Sequence, residues 1–383
     1  MGILKTQRDL FDIPEHIAYF NCAYYSPLLK ESASRLHTGV SSKSRPWERT
    51  PADFFNDAES VRQLSSEIFG GDPNGFAVVP SASYGISSAS RILESTLTKN
   101  DGVLVVAEEF PSIVLSMKRL ANETSAKLIT VETPEDKNWT EAILNRMDGT
   151  IRVVAISSCH WTNGAFIDLK RIREKCDECD TILLIDATQT LGAMPLAIEE
   201  IRPDFLVASG YKWLLSPYGF SLFYVDGRWR NERPLEETWV ARENAQDFAN
   251  LVDYSDAYMK GSRRFEVGEK CTPTILPGAI AALEQIKEWG VDNIAETLLN
   301  INQQIEKNLL QLGFTLPPNS QRCPHMLGAV TPPNSSQNLV AELKSKNIYI
   351  SQRGRSLRFA PHLYINDNDI DRLNSTISEL IGG

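Results

Sequence analysis

The sequence predicts an α/β protein: a large domain with a mostly parallel, seven-stranded sheet, followed by a smaller α+β C-terminal domain. Three observations lead there. Between Phe76 and Val225, short β-branched apolar runs recur: FAVVPS, VLVVAEE, KLITVE, RVVAISS, TILLIDAT, DFLVASG and FSLFYVD. Their composition is that of strands covered on both faces. Amphipathic segments, among them SIVLSMKRLANET, WTEAILNRM and LKRIREKCDEC, separate many of these runs. A helix between consecutive strands is the usual way to return the chain for parallel pairing. The third observation is a change of pattern after Arg228, where polar, Trp-containing loops run to about Phe265.

Beyond those loops, ILPGAIAALEQIKEWG and ETLLNINQQIEKNLLQLG read as helices. The tail mixes short strands, KNIYISQ and SLRFAPH, with a final helix, DNDIDRLNSTISELIGG, while TLPPNSQRCP and TPPNSSQN read as loops. These changes divide the chain into a large domain over residues 21–284 and a small one over 285–383, the latter joined by residues 1–20.

Composition excludes several function classes. With 383 residues, 42% of them hydrophobic, the chain can bury one large core or two moderate ones. A net charge of −10 with no basic stripe argues against a nucleic-acid partner, which needs clustered Lys and Arg. No apolar run reaches about 18 residues, so no membrane span and a cytoplasmic location are expected. Six cysteines in a chain of this length do not make a disulfide framework, and CDEC lacks a second Cys or His pair to complete a metal site, so no metal is expected.

One residue stands out in FLVASGYKWLLSPYGFSLFYV. Lys212 sits among apolar neighbours, where a lone ammonium is costly to bury. A desolvated lysine loses proton affinity and becomes a nucleophile toward carbonyls. Asp186 ends the preceding run, TILLID, and if the two strands are neighbours both groups sit on one rim of the sheet; alone, a carboxylate there is more readily a cap or turn residue. In VVPSASYGISSASRIL a strand gives way to a helix, and the free N–H groups around Ala82, Ser83 and Gly85 form either a phosphate cradle or a plain N-cap. Ser209 and Tyr211 add hydroxyls just before the lysine. Phe110, after VLVVAEE, suits stacking on a flat ring or simple core packing, and His160, after RVVAISS, is either catalytic or structural.

Together, an amine nucleophile, a carboxylate for a ring nitrogen, a phosphate cradle and a stacking ring are the parts that pyridoxal phosphate needs. No G-x-G-x-x-G opens a helix, which disfavours a nicotinamide oxidoreductase, and the intact set disfavours a binding module that merely kept the fold. In the order and spacing of SASYG, EFPS, SSCHWTNG, DATQ, SGYK, CTP and LRFAPHLYINDNDIDRL, the chain resembles the class V aminotransferase family, fold type I of the pyridoxal phosphate enzymes.

That resemblance implies Lys212 as the Schiff-base lysine, Asp186 at the pyridine nitrogen, and Gln189 near the phenolic oxygen. Ala82, Ser83, Ser209 and Tyr211 hold the phosphate, and Phe110 stacks on the ring, with Phe110 and Tyr211 similar to kynureninase. Thr272 in CTP reaches the partner subunit's phosphate, implying a homodimer with shared sites. Arg358 clamps the substrate α-carboxylate, and Asn21 lies on the substrate side. His160 either tunes the phenolic oxygen or acts as an acid or base. The stretch IYISQRGRSLRFAP carries no cysteine where the desulfurases place theirs. The expected reaction is therefore of lyase or epimerase type on an amino acid, through a Cα carbanion, with an aminotransferase using an α-keto acid acceptor as the alternative. SRPWERTPADFF and SQRGRS line the entrance, where their arginines either read a second acidic group or stay solvated.

Overall fold

The computed structural model describes residues 2–333 and 338–382, so Asn334 to Gln337 of the TPPNSSQN loop and the terminal Gly383 lie outside the described residues. In chain order the strands are β1 (Ala18–Tyr19), β2 (Phe76–Val79), β3 (Gly102–Val106), β4 (Lys127–Val131), β5 (Ile151–Ser157), β6 (Ile182–Asp186), β7 (Phe205–Ser209), β8 (Ser221–Val225), β9 (Leu327–Val330), β10 (Ile348–Tyr349), β11 (Ser351–Arg353) and β12 (Ser356–Phe359).

Strands β2 to β8 form one seven-stranded sheet in the order β2-β8-β7-β6-β5-β3-β4. Each arises from one of the apolar runs. Only β8 runs against its neighbours, β7 and β2. The sheet separates two cores because successive side chains on a strand point to opposite faces. Val103, Val105, Leu184 and Val207 pack under the helices Ala82–Leu93 and Pro111–Thr124, whereas Leu104, Val106, Ile185 and Leu206 join the larger core on the other face. Such continuous apolar strands are stable only when helices cover both sides.

The C-terminal part holds an antiparallel sheet of order β11-β12-β9. β10 pairs in parallel with β1, bringing the first twenty residues onto this part, and buried Arg8 donates to Asp369 of the last helix, Asp367–Gly382, at 2.7 Å. The helix Val291–Gln311 begins before the expected ETLLN stretch. Gly290, at φ 75°, ends the preceding helix Leu276–Trp289 and starts the next at once. Left-handed backbone of this kind favours glycine, and the polar start VDN hid the helix beginning.

For function, the decisive feature is where the sheet changes direction. From β3 the chain moves outward to β4, then returns to β5, β6 and β7 on the other side of β3. Side chains just past the carboxyl ends of these strands converge on one crevice, as expected at such a switch point.

Candidate active site

That crevice is lined by residues from five strand ends: Ala82 after β2, Glu109 and Phe110 after β3, Ser157 and Trp161 at and after β5, Asp186, Thr188 and Gln189 at and after β6, and Ser209, Tyr211 and Lys212 at and after β7.

The Lys212 backbone is fixed by a tight loop. Gly210 N–H donates to the Phe220 carbonyl at 2.9 Å, and a Cβ at Gly210 would lie 2.4 Å from the Phe220 ring. Ser216 N–H closes back on the Gly210 carbonyl at 2.9 Å, while buried Trp213, Leu214 and Leu215 anchor the following residues in the core. Lys212 is 7% exposed, and its Nζ lies 5.7 Å from the Phe110 ring centre and 5.5 Å from that of Tyr211. No carboxylate among the described residues reaches it as an ion pair. Burial pushes its pKa down to about 8; Asp186 opposes this, while the charges of Arg358 and Arg353 add to it.

Asp186 is buried, and its Oδ1 accepts from Thr188 N–H at 2.9 Å. Burial raises its pKa, with Thr188 and Lys212 offsetting part of the rise. Gln189 spends one amide N–H on the Ala23 carbonyl at 3.1 Å and accepts from Trp213 Nε1 at 2.9 Å, which leaves its second N–H available. Tyr211 lines the pocket and packs against Tyr25 and Tyr218. Ser83 is exposed one residue beyond Ala82, its Oγ 2.8 Å from that of the N-cap Ser81, at the helix end where backbone amides lack intrahelical partners.

Arg358 approaches from β12. Its Nη1 donates to the Trp161 carbonyl at 2.6 Å, and its Nε and Nη2 both donate to Ser351 Oγ, at 3.1 and 3.0 Å. It is 1% exposed with no carboxylate in reach among the described residues, and burial, with Arg353 nearby, lowers its pKa to about 9. A guanidinium so placed is suited to an incoming carboxylate. Asn21 bridges to Ala360, two residues past Arg358, and its buried Oδ1 has no hydrogen-bond partner.

Of the expected site residues, Asn21, Ser83, His160, Thr272 and Arg358 are not among those lining the pocket, and His160 and Thr272 are engaged elsewhere. His160 has its ring atoms engaged by other groups: the ring stacks on Trp139 at 5.0 Å, with Nδ1 at 2.8 Å from Thr162 Oγ1 and Nε2 at 3.1 Å from the Ala107 carbonyl. Burial lowers its pKa, and the neighbouring Trp161 takes the pocket position. Thr272 sits half-exposed before the helix Leu276–Trp289, its Oγ1 donating to the Glu269 carbonyl at 2.8 Å.

Conversely, Glu109, Ser157, Trp161 and Thr188 line the pocket without having been singled out from sequence. Glu109 Oε2 accepts from the backbone and side chain of Ser157 at 2.9 and 2.8 Å, and Oε1 from Phe110 N–H at 2.7 Å. It thereby clamps the ends of β3 and β5 and fixes Phe110, the residue expected to stack on a ring. Burial raises its pKa to about 7.

These groups fit pyridoxal phosphate by the chemistry of the donor set. A buried amine without an ion-pair partner suits a covalent bond to an aldehyde. A buried carboxylate with one oxygen engaged suits a protonated ring nitrogen, and a helix N-terminus flanked by Ser83, Ser209 and Tyr211 suits a phosphate.

Comparison with known proteins agrees. Residues 31–365 match the family described as aminotransferase class-V. The chain is 24% identical to the uncharacterized aminotransferase YcbU of Bacillus subtilis over 325 residues, covering 84% of this chain and 82% of that protein. It is 23% identical to kynureninase of Bacillus anthracis over 287 residues, covering 70% of this chain and 65% of the kynureninase. Among solved structures, a C-DES variant with glycine covalently linked to its PLP cofactor superposes with a TM-score of 0.86 at 18% identity, over 98% of this chain and 99% of that one. The chain belongs to the class V aminotransferase family of fold type I enzymes and is a pyridoxal phosphate-dependent enzyme.

Proposed function

We propose that this enzyme removes the Cα proton of an amino acid and that the outcome is a lyase or epimerase reaction. One observation carries the reading: the low-pKa amine of Lys212 lines the same pocket as Asp186, with the guanidinium of Arg358 bonded to the lining residue Trp161, and neither cation has an ion-pair partner among the described residues. Pyridoxal phosphate supplies an aldehyde that bonds amines and a ring that draws electrons from Cα. The chain's own side chains do the rest. Asp186 would hold a ring nitrogen protonated, Phe110 would pack on the ring, and Gln189 would offer its second N–H to the phenolic oxygen. The amides of Ala82 and Ser83, with Ser209 and Tyr211, would hold the phosphate. Arg358 orients the substrate carboxylate through its planar fork, with Asn21 beside it. The neutral Lys212 Nζ takes the Cα proton and returns it, a task suited to an amine with a pKa near 8. His160 acts on the reaction through position, holding the turn that presents Trp161.

Support for a lyase or epimerase over a persulfide-forming desulfurase comes from the absence of cysteine between Ile350 and Phe359. The Phe110 and Tyr211 pair, similar to kynureninase, adds to it. The relative named as an aminotransferase favours a second reading, transamination. A panel of amino acids assayed with and without an α-keto acid separates them. Turnover independent of the acceptor is expected; strict dependence on it would replace the first reading by the second.

We also propose that two copies pair, each sending Thr272 toward the other's phosphate. Sedimentation is expected to give a dimer, and a monomer at micromolar concentration would exclude shared sites.

A further inference from the structure

A second guanidinium, Arg353, belongs to the same face as Arg358. In the β11–β12 pair Ser351 lies opposite Arg358, and Arg353 opposite Ser356. Residues two apart on a strand share a face, so Arg353 projects beside the Ser351–Arg358 pair, about 7 Å further along the strand. Trp161 links the two arginines. Its carbonyl accepts from Arg358, and its ring lies 5.7 Å from the Arg353 guanidinium. The Tyr24 ring flanks Arg353 at 5.9 Å.

Aromatic faces of this kind hold a cation in place without neutralising it. Arg353 donates through Nη1 to the Gln352 carbonyl at 2.7 Å, and among the described residues no carboxylate lies within ion-pair distance of it. Its charge is felt by both Lys212 and Arg358. Two cations on one face without a counter-ion repel each other, and a ligand with two separated anionic groups relieves both at once.

We infer that Arg353 reads a second anionic group, so that the substrate is an acidic amino acid whose side chain ends in a carboxylate or sulfinate. This rests on the amino-acid reading above. The test titrates holoenzyme with aspartate, glutamate and cysteine sulfinate, and with alanine and serine as neutral probes, following the visible cofactor band. Wild type is expected to bind an acidic probe at least about tenfold more tightly than the neutral ones. Arg353→Gln should weaken acidic probes about ten- to hundredfold and neutral ones less than about twofold. Arg353→Lys should recover part of the loss. Equal weakening of both classes would mean that Arg353 only supports Arg358, and no weakening would mean that it stays solvated; either result overturns the inference and leaves the amino-acid reading intact. A wild-type band that no amino acid perturbs would overturn the amino-acid reading and this one with it.

Discussion

Lys212→Ala is expected to lower turnover by about four orders of magnitude and to leave no cofactor attached to the protein after borohydride reduction. Both losses have one cause, because the nitrogen proposed to bond the aldehyde is also the one proposed to shuttle the Cα proton. Only the neutral amine can do either. With a pKa of about 8, roughly a tenth of it is neutral at pH 7, against fewer than about one in a thousand at the ordinary lysine value. Reloading of cofactor-free protein should therefore accelerate as pH rises to about 8 and flatten above it. An acceleration that continues toward pH 10 would show that burial does not tune the amine. The fold should survive the substitution, since Lys212 has no ion pair among the described residues and the loop is held by Gly210, Trp213 and Ser216. Removing an unpaired buried amine leaves the melting temperature unchanged or slightly higher. Covalent cofactor found by mass spectrometry on the reduced alanine variant would move the nucleophile elsewhere.

Much of this site could be read from sequence because a parallel sheet gathers strand ends on one rim. Once TILLID and DFLVAS are read as neighbouring parallel strands, Asp186 and Lys212 have to share that rim. Glu109, a carboxylate leaving the apolar run VLVVAE, is open to the same argument. The exchange of His160 for Trp161 has a different origin. His160 N–H bonds the Ala165 carbonyl, Gly164 N–H bonds the His160 carbonyl, and Gly164 at φ 76° passes so close to Met326 that a Cβ would lie 2.6 Å from its carbonyl oxygen. Inside such a turn the tertiary contact decides which side chain faces the pocket, and the strand period that precedes it gives no guide. Arg353 is a further case. Its face depends on the register of β11 against β12, and a slip of one residue would have sent it to the other side.

Glu266→Ala should be the most destabilising single change outside the pocket, at about 3–5 kcal/mol in chemical unfolding. The carboxylate is fully buried and serves three donors: Oε1 accepts from Arg62 and, at 3.1 Å, from the Val78 amide of the edge strand β2, and Oε2 accepts from Lys270 Nζ at 2.6 Å. Burial alone would raise the Glu266 pKa, but Arg62 and Lys270 outweigh it and the net shift is downward. Its stabilising share is thus complete above the unfolded carboxyl value of about 4.3 and is lost as pH falls below it. Alanine leaves the Lys270 ammonium and the Val78 amide buried without this acceptor and takes one of two carboxylates from Arg62. Arg62 retains Glu59 at 2.7 Å, whereas Lys270 has no second carboxylate in reach among the described residues. The damage should therefore concentrate on the segment Gly268 to Thr272, and with it on the residue proposed to reach the partner's phosphate. Glu266→Gln keeps an acceptor and should cost less than the alanine. Replacing Arg62, Glu266 and Lys270 together by apolar residues should recover most of the stability, because such residues leave no charge to desolvate. An alanine variant within about 1 kcal/mol of wild type would show that water already reaches this network and that the loop before Thr272 is held by other contacts.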